Sequence, residues 1–64
     1  MSIESTVNTL EALGALVEIE EYGVLLVNLP EDRDSVVEIL MLLMEARPDE
    51  SWMVTLDTVR VGWN

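Results

Sequence analysis

Neither cysteine nor histidine occurs in these 64 residues, so the chain forms no disulfide and is poorly equipped to hold a structural zinc. A domain of this size buries only roughly 60% of its unfolded surface and is marginal without such staples. Any stable fold must therefore rest on an apolar core. The residues for one are present: half of them are hydrophobic, and the mean hydropathy is +0.30. That content argues against disorder despite the charge, because disordered acidic chains lack apolar side chains. The length predicts one domain over residues 1–64.

The apolar residues change period along the chain. Ile3, Val7, Leu10 and Leu13 recur at helical spacing, with Glu4, Asn8 and Glu11 opposite. Ser2 or Ser5 is the expected start of this helix and Gly14 its expected stop. Leu16 to Glu20 alternates as a strand does, with Val17 and Ile19 on one face and Glu18 and Glu20 on the other. Glu21-Tyr22-Gly23 is a turn in which Gly23 supplies a positive φ. Val24 to Leu29 is a second strand, apolar on both sides, which suits a central or doubly covered position. After Pro30, a helix is predicted up to about Ala46. Asp32, Asp34 and the Ser35/Glu38 pair all compete to cap it. Its apolar residues span more than half the circumference, so it is buried on two sides or meets another subunit. A turn is expected over Pro48 to Ser51. Trp52 to Trp63 reads as strand, and at about 3.3 Å per residue it would run roughly 40 Å, so a bend or split near Asp57-Thr58 is expected.

The fold class is therefore α+β, a small αββαβ domain. Its three- to four-stranded antiparallel or mixed sheet is packed by one or two helices. Met41, Met44 and Met53 are assigned to the core. Trp52 and Trp63 are read as core or interface filler, with an exposed anchor the alternative for Trp63. A homodimer through the second helix or the last strand is a further expectation.

Thirteen carboxylates face three arginines, a net charge of -10, and lysine is absent altogether. Lacking His, Cys and Lys, the chain has no evident base to activate a serine or threonine, and enzyme activity is not expected. Asp32-Arg33-Asp34 resembles the start of a calcium loop, but Val37 and Leu43 stand where that loop needs Gly and Glu. No glycine is followed by the lysine of a phosphate cradle. No cofactor and no metal are expected. Direct nucleic-acid binding is excluded by charge, and anionic membranes are repelled. With no basic, apolar leader and an apolar run of only six residues, Ile39 to Met44, a cytoplasmic protein is expected.

What remains is a strongly negative surface, which attracts basic protein. Glu18 and Glu20 lie roughly 7 Å apart on one strand face, close to the spacing of successive phosphates, and Glu21 continues the run. Glu31, Asp32, Asp34 and Glu38 form a second cluster at a helix start. Glu45, Asp49 and Glu50 form a third, and Asp57 stands alone. Structural duties compete with this reading. Acids in a first helical turn stabilise the macrodipole by about 0.3–1 kcal/mol each, which accounts for Glu31, Asp32 and Asp34 without a partner. Glu4, Glu11 and Glu45 read as ordinary solvated positions. Salt adaptation would also explain an acidic, lysine-free chain, although the wealth of Leu, Met and Ile and the excess of Glu over Asp do not favour it.

With its runs Glu18-Ile19-Glu20-Glu21 and Glu31-Asp32-Arg33-Asp34, its size and its lack of cysteine, the chain resembles the small acidic inhibitors of phages, the DNA-mimicking anti-CRISPR proteins among them. The resemblance is compositional and covers the whole chain. It implies inhibition by occupancy: Glu18, Glu20, Glu21, Glu31, Asp32, Asp34, Asp49 and Glu50 would sit where phosphates sit on a basic nucleic-acid-binding protein or complex, such as a CRISPR effector, in the host cytoplasm if the chain is phage-encoded. The alternative is a structural or adaptor subunit that dimerises through its apolar helix, with acidity serving solubility.

Overall fold

The computed structural model of the chain describes residues 3–47 and 52–63. Ser2, the predicted turn at Pro48 to Ser51, and with it Asp49 and Glu50, lie outside the described residues.

Helix α1 spans Ile3–Ala12. Ser5 is thus inside the helix and is not its cap. Leu10 and Thr6 are fully buried, and Ile3, Val7 and Leu13 pack against the core. Thr6 completes the helical stripe at a position where polarity hides it from a count of apolar residues. Ten residues are too few for a stable isolated helix, so packing holds α1 in place. Its end is a Schellman turn: the Gly14 amide donates to the Glu11 carbonyl at 3.0 Å and the Ala15 amide to the Leu10 carbonyl at 3.1 Å. Gly14 carries the positive φ, +96°, that this turn demands. Ala15 and Leu10 are both in the core, the apolar contact that accompanies the motif.

Strand β1, Leu16–Glu20, joins strand β2, Val24–Asn28, through a single 3-10 turn at Glu21–Gly23, where Gly23 has φ +74°. Helix α2 covers Arg33–Ala46. The predicted long final strand is two strands, β3 (Trp52–Val54) and β4 (Thr58–Gly62), folded back on each other at residues 55–57. The sheet is antiparallel with order β1-β2-β4-β3. β2 is central, as its two-sided apolarity suggested.

Register sorts the side chains. Val17 and Ile19 stand opposite Val27 and Leu25, which stand opposite Val59 and Val61. This face meets the helices, and Leu25, Val27, Val59 and Val61 form the core with Leu10, Ile39, Leu43 and Trp63. The other face carries Leu16, Glu18 and Glu20 on β1, Val24, Leu26 and Asn28 on β2, and Arg60 and Met53 on β4 and β3.

The methionines depart from expectation. Met41, Met44 and Met53 are exposed rather than in the core. Ile39 and Leu43 fill the inward side of α2, with Val36, Leu40, Leu42 and Ala46 at its margins. With the sheet beneath one side only, Met41 and Met44 are left on the outer arc, and Met53 falls on the uncovered sheet face beside Arg60.

Trp63 is buried, which settles its place in favour of core. The Arg47 guanidinium lies over its ring, 4.6 Å from the centroid, and Nη2 donates to the Trp63 carbonyl at 2.6 Å. The Trp52 indole donates to the Arg47 carbonyl at 3.3 Å. Arg47 therefore ties the end of α2 to the start of β3 and the end of β4.

Candidate acidic interaction surface

Strand alternation places Glu18 and Glu20 on the uncovered face of the sheet, and Glu21 follows in the 3-10 turn at the end of β1. The three do not behave alike. Arg60 Nε donates to Glu20 Oε1 at 2.8 Å, reaching across β2 from β4. Val24 and Leu26 lie on the intervening strand, and Gly62, in the row of Glu20 on β4, brings no side chain of its own beside Arg60. Both partners remain substantially exposed, so the pair contributes at most about 1 kcal/mol. It nonetheless cancels the charge that Glu20 would offer a partner. Glu18 and Glu21 stay open to solvent.

Asp32 takes the N-cap of α2: its Oδ2 accepts from the Ser35 amide at 3.1 Å and from the Ser35 hydroxyl at 2.8 Å. The Ser35 hydroxyl bond, then the Ser35 amide, hold the Asp32 carboxyl below its ordinary pKa. Asp34 follows in the first turn, and Glu31 precedes the cap. Asp57, solitary in the sequence, joins this group. The Leu29 amide donates to the Asp57 carbonyl at 2.8 Å, and Glu31, Arg33 and Asp57 line an open cleft of about 480 Å³ with Leu29, Pro30, Val36 and Leu56. Leu56, at the tip of the β3–β4 turn, is 100% exposed.

The two groups lie at opposite ends of the sheet. Glu20 is in the row of Val24, whereas Asn28 ends β2 next to the approach to Glu31, a separation of roughly 13 Å at 3.3 Å per residue. Among the described residues, the candidate acids of β1 and those around α2 thus form two patches rather than one. One follows the β1 edge. The other starts at the α2 cap and runs down the helix through Asp34, Glu38 and Glu45, all exposed, with about 6 Å of rise between the first two. Glu45 extends this row; Asp49 and Glu50, expected beside it in a third cluster, lie outside the described residues. The spacing of 34, 38 and 45 carried that signal, since four and eleven residues both return to one helical face.

Chemically, the charge this surface presents is almost all carboxylate, with exposed apolar side chains such as Met41, Met44 and Leu56 beside it. Among the described residues no three acidic side chains converge as metal ligands would. No described helix is long and apolar enough to cross a membrane. Compared with protein-family models, with curated proteins and with solved structures, the chain finds no match in any of the three.

Proposed function

We propose that this protein is a ligand for the basic, nucleic-acid-binding surface of another protein or complex, and that it acts by occupying that surface. One observation carries the reading. Of eleven described carboxylates, Glu20 alone meets an arginine, and the other ten are exposed. Two of the three arginines are committed internally, Arg60 to Glu20 and Arg47 to Trp63. The negative surface is left uncompensated within the fold. Such a surface speeds association with a basic partner and makes binding salt-sensitive. The likeness in composition to DNA-mimicking anti-CRISPR proteins makes a CRISPR effector complex the first partner to try.

Immobilised protein is incubated with nuclease-treated bacterial lysate and washed at low and then high salt. The expected outcome is recovery of a nucleic-acid-binding complex that is released by high salt and displaced by free DNA. Glu18→Lys/Glu21→Lys and Asp34→Lys/Glu38→Lys each reduce recovery while remaining folded. Glu20 is omitted because a lysine there would confront Arg60. A partner indifferent to salt, to DNA and to both double variants would refute the proposal.

The alternative, a scaffold subunit that pairs with itself through α2, draws on the apolar side chains exposed along that helix. Leu43 is in the core and takes no part in such a contact.

A further inference from the structure

The outer side of α2 is divided lengthwise. At 100° per residue, Val37, Met41 and Met44 fall within one narrow arc, 52%, 59% and 61% exposed. Beside them, in an adjoining arc, stand Asp34, Glu38 and Glu45. An apolar stripe from Val37 to Met44, about 10 Å long, therefore runs beside an acidic stripe from Asp34 to Glu45, about 16 Å long. Isolated exposed apolar residues are ordinary on any protein. Three in a row along one helix, on a molecule with so much charge to place there instead, form a contiguous patch.

From this arrangement we infer that α2 is the seat of a basic amphipathic helix of the partner. The inference rests on the reading of the protein as a ligand of basic surfaces. Charge selects the occupant. A second copy brings a net charge of -10 against -10. A helix with leucine-like residues on one side and lysine or arginine beside them meets both stripes at once. Helix-on-helix docking of this kind reads anchors at i, i+4 and i+7, the spacing of Val37, Met41 and Met44. Methionine suits the task because its unbranched thioether adapts to different apolar partners. The acids supply long-range attraction, and the methionines supply contact that persists when salt screens the charge.

The methionines also report on the test. The protein is labelled with 13C at the methionine methyl groups and titrated with an 18-residue peptide of leucine and lysine, patterned to form one apolar helical face. Met41 and Met44 are expected to shift, while Met53, on the uncovered sheet face, stays still. Met41→Ser/Met44→Ser is expected to weaken binding at least tenfold at 150 mM salt. Glu38→Gln/Glu45→Gln is expected to flatten the salt dependence. Movement of Met53 in place of Met41 and Met44 would overturn the assignment of the face and leave the basic-partner reading standing. Absence of binding at low salt would overturn both. Sedimentation as a dimer that the methionine double variant dissolves would assign the stripe to a second copy.

Discussion

Asp32 shows how one carboxylate in this chain does structural work. Its pKa is lowered in the fold, so its ionised form contributes stability above the ordinary aspartate range, and that contribution fades as pH falls through the lowered value. Asn also caps helices but does not titrate. The stability difference between wild type and Asp32→Asn should therefore shrink as urea titrations are moved from pH 7 to pH 3, and a difference independent of pH would contradict the assignment. The sequence offered three candidate caps for this helix, and the fold uses Asp32. Gly14 and Gly23 were legible because their turns need positive φ, a demand written into residue type. The Arg60–Glu20 pair was not legible. Its partners are 40 residues apart and meet only through the order of the strands.

At the scale of elements, α2 has two apolar sides with different duties. Leu43 is fully buried, and Leu43→Ala should cost about 2–5 kcal/mol. Met41→Ala, on the outer arc, should change stability by less than about 0.5 kcal/mol. Urea denaturation followed by tryptophan fluorescence checks both, and a large loss from Met41→Ala would mean that the outer stripe is covered in solution. Periodicity announced that α2 was apolar around more than half its girth. It could not say which part the sheet would cover. Similarly, the excessive length of Trp52 to Trp63 forced a break near Asp57, but nothing local says that β4 inserts beside β2 and leaves β3 at the edge. Strand order depends on which apolar rows bury together, a property of the assembled sheet.

For the molecule as a whole, charge and size act together. The described residues span 29 × 23 × 20 Å. The Debye length is about 30 Å at 0.01 M salt and about 8 Å at 0.15 M. In dilute buffer every carboxylate feels the others, and at physiological salt only neighbours do. The melting temperature should rise between these conditions, by about 4–8 °C for each kcal/mol of repulsion relieved, as followed by circular dichroism. A melting temperature that stays level or falls would show that the native fold carries no net repulsion. The sequence made the quantity of charge plain but not its layout, because β1 lies along a sheet edge and α2 across the opposite face. That edge has a consequence for self-association. β1 has one unpaired side, and its exposed Leu16 and Ile19 are the branched apolar type that stacks into filaments. An antiparallel copy centred on Glu18 would set carboxylate against carboxylate, so at neutral pH the strand guards its own open side. Glu18→Gln removes that guard and leaves a five-residue sticky edge, making it the single change expected to favour edge-to-edge stacking most.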